Sequence, residues 1–182
     1  MTYIFIGIFI FFVAMDQLSK SLAVEMLGEV GSTIEFIPKL IRFEYCRNTG
    51  MAWGLLKNAR FYFIAVTILL TAFLLYFMIR RHRTIPKLVQ LSLTLILSGA
   101  IGNLIDRLFL GYVRDFIAFD FIDFPVFNIA DACVTTGAIL LIISLLLTRQ
   151  GRDFIKLLEE EDAERSLKRK MRRENGTDQN VK

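Results

Sequence analysis

"VFNIADACVTTGAILLIISLLL", Val126 to Leu147, is 22 residues long and contains one charged side chain, Asp131. As an α-helix it extends about 33 Å, enough to cross a hydrocarbon core of about 30 Å. An ionised side chain near mid-membrane costs roughly 2.5–3.5 kcal/mol even on the lenient insertion scale. Asp131 therefore has to be neutral, meet a partner from another segment, or be open to water, since its own helix offers no basic residue before Arg149. Three more windows are as apolar: Tyr3 to about Leu22, Phe61 to Ile79 and Leu88 to Ile105. With 54% hydrophobic residues and 17 Phe in 182 residues, lipid is the medium this chain is built for. The expected fold is an α-helical integral membrane protein with four transmembrane helices, one membrane domain over 1–148, and a charged tail over 149–182.

The first window is the unusual one. Its uninterrupted run, "YIFIGIFIFFVAM", is 13 residues and reaches only about 20 Å as a helix, so a full crossing carries Asp16, Gln17 and Lys20 into or beside the membrane. No Lys or Arg precedes the run, and "DQLSK" stands where a small-residue cleavage site would belong. These features argue for a permanent span and against a cleaved signal peptide.

Basic residues next to the spans set the orientation. The second loop, "RRHRTIPK", has four Lys or Arg and no acid, and the tail begins with Arg149 and Arg152 and later reads "KRKMRR". Both segments are expected in the cytoplasm, with both termini. The loops from about Gly28 to Arg60 and from Asp106 to Pro125 then face outward. Within the first of these, "IRFEY" alternates apolar and polar residues between turn signals, which predicts a small extracytoplasmic antiparallel β element. The third loop spreads Phe109, Phe116, Phe119, Phe121, Phe124 and Phe127 through an acidic stretch, a pattern that favours interface anchoring or packing over direct substrate contact. The net charge of +4 sits where topology demands it, and the tail interleaves it with "EEEDAE", so nucleic acid is not an expected partner. The tail reads as solvated, partly helical and attracted to anionic lipid headgroups, and its end, "ENGTDQNVK", reads as disordered.

Placed in this topology, the awkward polar residues gather at one level. Asp16 and Lys20 lie near the outer end of the first span, Asn103 and Asp106 at the outer end of the third, and Asn128 and Asp131 at the outer start of the fourth. Asn48 and Asp115 belong to the outer loops. Asn103, Asp106 and Arg107 share a helix side by their spacing, as do Asn128, Asp131 and Thr135. Such sides belong toward the bundle interior or a wet cleft. Gly99 and Gly102 allow close approach of another backbone. Asp16 with Lys20, four residues apart, reads first as a structural ion pair, and Asp106 beside Arg107 reads the same way. The asparagines are as suited to orienting neighbours as to touching substrate.

The available chemistry is narrow. The sole His, His82, is in the cytoplasmic loop, which removes Ser-His-Asp, Cys-His and His-based zinc sites from the outer face. Cys46 and Cys133 lack metal-site spacing, so no metal is expected. Ser19 and Lys20 are adjacent and project about 100° apart on a helix, a poor arrangement for a Ser-Lys pair. Paired carboxylates remain: two acids held together in a dry site share a proton, so one activates water while the other protonates the reacting group, with no cofactor. Asp131 is one candidate. The residues alone leave its partner open among Asp106, Asp115, Asp120 and Asp123.

In chain order the sequence also reads "DQLSK" from Asp16, "NTGMAWG" from Asn48, "GAIGNLIDR" from Gly99, "GYVRDFI" from Gly111 and "FNIADA" from Phe127. Five such blocks in this order, over Tyr3 to Leu147 of a four-span chain, closely resemble lipoprotein signal peptidase, the type II signal peptidase of bacteria. The resemblance implies an aspartic endopeptidase that removes the signal peptide of diacylglyceryl-modified prolipoproteins, cutting before the lipidated Cys at the outer face of the cytoplasmic membrane. It implies Asp115 and Asp131 as the catalytic pair, and Asp16, Lys20, Asn48, Gly50, Asn103, Asp106, Arg107 and Asn128 as the groups that support the site or bind substrate. Membrane lipids are the other expected partners, and the expected assembly is a monomer. A small transporter and a noncatalytic assembly factor are the rival readings. The first fits poorly with acids clustered at one end, and the second leaves the Asp115–Asp131 pairing without a role.

Overall fold

The computed structural model describes residues 2–50 and 60–178. The four apolar windows are helices: α1 (Thr2–Leu27), α2 (Arg60–Arg80), α3 (Lys87–Phe109) and α4 (Ile129–Leu147). All four are long and apolar enough to cross a membrane. The first is longer than the sequence window suggested, because its polar side chains from Asp16 onward find partners inside the bundle and the helix does not have to stop at them. A fifth helix, α5 (Arg149–Asp178), follows α4 after a single residue. It takes in the whole described tail, including 174–178, where disorder was expected. Ion pairs one turn apart, such as Lys168–Glu164 at 2.6 Å, add local support along it.

α3 is the central helix: 56% of its spanning window is buried, against 6% for α2 and 11% for α1, which turn most of their surface outward. Its polar positions follow from that burial, since the hydroxyls of Ser92, Thr94 and Ser98 donate to the carbonyls of Leu88, Gln90 and Thr94 within the same helix. No polar hydrogen of these hydroxyls is stranded in the apolar interior. Gly99 lets the backbone of Ala130 lie directly on α3, and Gly102 lets Asp16 do so, since a Cβ at either place would collide with those atoms. The small residues thus bring three helices together at one level, as the spacing had suggested.

The segments between α1 and α2 and between α3 and α4 build one sheet. β1 (Thr33–Ile37) and β2 (Ile41–Asn48) form a hairpin whose turn places Lys39 at a φ of 60°. β3 (Val113–Phe119) pairs antiparallel with β2, giving the order β1-β2-β3. The strand β2 and a small antiparallel sheet were expected from the alternation in "IRFEY", whereas β3 had been taken as loop. Its cause is a tight reversal after α3, where Gly111 adopts a φ of 87° that other residues resist. The amides of Leu110 and Gly111 close the helix on the carbonyl of Asp106. The sheet rests on the C-terminal part of α1 through Tyr45, Phe116, Ala23 and Leu27. β2 and β3 carry Asn48 and Asp115 back over the helix ends.

Candidate active site

Two groups of acids lie side by side, and the first is neutralised. Asp16 and Lys20, one turn apart on α1, are bonded at 2.8 Å and both essentially inaccessible. Lys20 Nζ also donates to Asn103 Oδ1 at 2.9 Å and lies 3.7 Å from Asp106. Asp106 in turn accepts from the backbone N of Arg114 at 2.9 Å and from its guanidinium at 2.8 and 3.1 Å. Two carboxylates and two cations therefore sum to zero, the arrangement a buried charge requires. Asp16 has a second duty: its Oδ1 accepts the amide of Ala130 at 2.9 Å, occupying an orphan donor in the first turn of α4.

The expected Asp16–Lys20 pair is present. The expected pairing of Asp106 with its neighbour Arg107 is replaced by bonds to Lys20 and Arg114, because adjacent helix positions diverge by about 100°. Arg107 turns instead to a cleft, with its guanidinium carbon 5.1 Å from the centre of the Phe63 ring. The cluster also includes two residues that motif reading had not singled out. Arg114 holds Asp106 and donates to Gln17 Oε1 at 2.9 Å, while Gln17 Nε2 donates to Asp16 and to the carbonyl of Gly102, both at 3.0 Å. The usable signal was period two along "VRDFIAF", which puts Arg114 and Asp115 on opposite faces of one strand.

The second group is Asp115 and Asp131, and amides surround it. Asp115 Oδ2 accepts Asn48 Nδ2 at 2.9 Å, and its Oδ1 accepts Asn128 Nδ2 at 2.6 Å. Asp131 Oδ1 accepts Asn103 Nδ2 at 2.8 Å, and its Oδ2 accepts the backbone N of Asn128 at 3.2 Å. Asn128 is also the N-cap of α4, with its side chain accepting the amide of Asp131, and this capping box is why the helix starts at Ile129 and not at Val126. One asparagine thus fixes both acids: Asp131 through the helix start and Asp115 through its amide. Asn103 completes the chain, since its Oδ1 accepts from both Lys20 and Asn128.

Asp115 is 1% exposed, and burial, then the charge of Asp131, lift its pKa from an ordinary 3.8 to about 7. The amide donors and the more distant Lys20 offset only part of this. Its neighbour Cys46, opposite it in the β2–β3 register, has its thiol raised by burial and by the Asp115 charge. Cys46 and Cys133 are both free thiols.

A cleft of about 610 Å³ opens beside this pair. Asp131, Thr135, Asn48, Gly50 and Arg107 supply its polar wall, and Phe63, Phe119, Phe124 and Phe127 its apolar one. Several of the loop phenylalanines are therefore at the site and not only at a lipid interface. Asp131 reaches the cleft directly, while the Asn48 amide covers Asp115. Gly50 holds that amide in place by donating its N–H to Asn48 Oδ1 at 3.0 Å. The rest of the "NTGMAWG" block, 51–54, lies outside the described residues. The other residues that the resemblance implies for the site converge here or in the neutral cluster beside it, whereas Asp120, left open as a partner of Asp131, pairs with Arg42 on β2. Chemically, the site offers two acids bonded to amides, with the Arg107 charge acting on both, at the edge of an amphipathic cleft.

The sequence model of the family described as signal peptidase (SPase) II matches residues 8–147. A lipoprotein signal peptidase of Streptococcus pyogenes serotype M6 is 42% identical over 143 residues, 78% of this chain and 92% of that protein. A solved bacterial membrane enzyme, determined by the in meso method at 2.3 Å, superimposes with a TM-score of 0.72 at 38% identity, covering 78% of this chain and 87% of the other. A second, at 1.9 Å, gives a TM-score of 0.70 at 37% identity over 79% and 92% of the two chains.

Proposed function

The chain belongs to the signal peptidase II family and is an aspartic protease that removes signal peptides from prolipoproteins, and we propose that Asp115 and Asp131 are its catalytic carboxylates. The observation that carries this reading is the double role of Asn128, which bonds Asp115 through its amide and Asp131 through its backbone. The site and its surroundings do not depend on any metal in this reading.

The substrate is a diacylglyceryl-modified prolipoprotein whose acyl chains stay in lipid while the peptide enters the apolar cleft, so the reactants meet already oriented. A water molecule sits between the two acids. Asp131, open to the cleft, takes a proton from that water as its oxygen attacks the carbonyl carbon before the lipidated Cys. Asp115 is protonated below about pH 7 and donates to the carbonyl oxygen, displacing the Asn48 amide. When the tetrahedral intermediate collapses, the C–N bond breaks, Asp131 passes its proton to the leaving amine, and Asp115 recovers its own. Lys20, Asp16, Asp106 and Arg114 hold the supporting elements, Asn103 and Asn128 orient the acids, and Arg107 faces the entering peptide.

In the same reading residues 1–148 form the peptidase domain and 149–182 a cytoplasmic tail. The protein acts as a monomer in a bacterial cytoplasmic membrane with the site on its extracytoplasmic side. The basic second loop and tail support that orientation. Cells lacking the enzyme and expressing Asp115→Asn or Asp131→Asn at normal membrane level should accumulate lipidated precursor on gels. Processing at the original rate by either variant sinks the assignment. A reporter fused at Gly28 should read outside and one at Gln150 inside, and the reverse overturns the topology.

A further inference from the structure

α5 starts on the bundle and then leaves it. Gly151 lies directly against the carbonyl of Ser144, where a Cβ would collide, and Arg152 Nη1 donates to the carbonyl of Leu146 at 3.2 Å. Phe154 is buried with Ile85, Val89 and Leu93, Phe77 and Met78 of α2 and Leu141 and Leu145 of α4 pack around that group, and the Phe77 and Phe154 rings meet edge to face at 6.4 Å. Two turns later Glu161 takes both guanidinium nitrogens of Arg81, at 2.5 and 2.6 Å, just past the end of α2. From Phe154 to Glu161 the axis advances about 10 Å. One face of the helix therefore stays on the bundle from Phe154, set among α2, α3 and α4, to Glu161 at the end of α2. Beyond Glu161 the helix continues for 17 residues, to Asp178, about 25 Å.

The face that meets the bundle can be followed along the sequence. Phe154, Leu158 and Glu161 recur at intervals of four and three, and the same intervals lead on to Arg165 and Lys168. The contact face changes from apolar, to an acid paired with the last basic residue of the bundle edge, to cations. The stretch from Arg165 to Arg173 has six Lys or Arg and no acid. Among the described side chains, Arg165 is 3.7 Å from Glu161, which Arg81 already occupies, and Lys168 is 2.6 Å from Glu164. Such pairs contribute little. Leu167 and Met171 add exposed apolar side chains to the same stretch.

We propose that the distal half of α5 lies on the lipid headgroup layer beside the bundle and binds anionic phospholipid headgroups through Arg165, Lys168 and Arg169. Each cation near an anionic bilayer gains attraction, and an arm rooted in a membrane protein needs no further cost to reach the surface. A nucleic acid would not explain why the cationic face continues the face that is seated on the bundle. This inference does not depend on the assignment of the catalytic acids.

The test uses full-length protein in lipid nanodiscs, where both faces are accessible, of phosphatidylcholine alone or mixed with phosphatidylglycerol. A glutamate-specific protease reads the arm by cutting after Glu164 and Glu174, sites that flank the basic stretch. Cleavage should slow by at least about tenfold in the anionic discs, and high salt should remove the difference. The variant R165Q/K168Q/R169Q, which keeps both cutting sites, should be cut at one rate in both lipids, with prolipoprotein cleavage unchanged. Equal rates for the unaltered protein in both lipids overturn the proposal, as does slowing that persists in the triple variant. Protection by added RNA with no response to lipid charge also overturns it, assigning the arm to nucleic acid.

Discussion

Asp16 and Asp106 are as deeply buried as Asp115, yet their surroundings differ in kind. Each of the first two has a cation at bonding distance, Lys20 or Arg114, and the cluster they form is closed and neutral. Asp115 and Asp131 have amides as hydrogen-bond partners, and Lys20, held on Asn103, and Arg107 act on them as nearby charges. Amides hold a carboxyl group in place without fixing its charge. The same residue type therefore serves as a structural anchor in one group and as an exchangeable proton site in the other. The two groups touch through Asn103, so the anchored cluster positions the reactive one.

The largest effect separating them is on rate. In purified enzyme, Asp115→Asn and Asp131→Asn should each lower kcat for a lipopeptide substrate by at least about a thousandfold, with thermal stability at or above that of the parent. Asp106→Ala or Asp16→Ala should do the reverse, costing about 3–5 kcal/mol of stability because Lys20 or Arg114 is left buried without its counterion. The check is protein yield and unfolding midpoint in one detergent. If Asp106→Ala is stable and only slow, the distinction between the clusters fails.

The predicted effect of Asn128→Ala is intermediate and mixed: a loss of about 1 kcal/mol from the helix cap together with a fall in kcat at unchanged KM, because both acids lose a common tether. Asn128→Asp should recover the cap without recovering the rate, since it adds a third acid beside the pair.

The smallest effect is on pH dependence. Asp115 holds its proton up to about pH 7, so kcat/KM should decline above about 7, by no more than tenfold per pH unit. The linkage runs the same way. A carboxyl whose folded pKa is raised from 3.8 to about 7 keeps a proton that the unfolded chain has released, so its contribution to stability is full below 3.8 and is lost as pH rises to about 7. Asp115→Asn should remove that slope from the midpoint-versus-pH curve.

Much of this contrast was readable in the sequence where the signal is local. Hydropathy gives the four spans, a spacing of four gives Asp16–Lys20, and alternation gives the strand β2. The helix side shared by Asn128, Asp131 and Thr135 follows from 3.6-residue periodicity alone. What was not readable depends on chain closure. Asp106 meets Arg114, and not its neighbour Arg107, only because Gly111 reverses the chain and β3 pairs with β2. For the same reason the residues alone did not choose Asp115 over Asp120 or Asp123 as the partner of Asp131, and the choice came with the five-block resemblance. The seating of α5 likewise depends on Phe154 finding a hole between three helices, and nothing in the surrounding charge pattern announces it.

The measurement closest to the central claim is infrared difference spectroscopy of carboxyl groups in the reconstituted enzyme across pH 5–9. The account predicts one protonated carboxyl band at pH 5 that disappears with a midpoint of about 7 and is absent in Asp115→Asn, while Asp106→Asn leaves it in place. A spectrum with no protonated carboxyl below pH 7, or a band that survives Asp115→Asn and vanishes in Asp106→Asn, would contradict it.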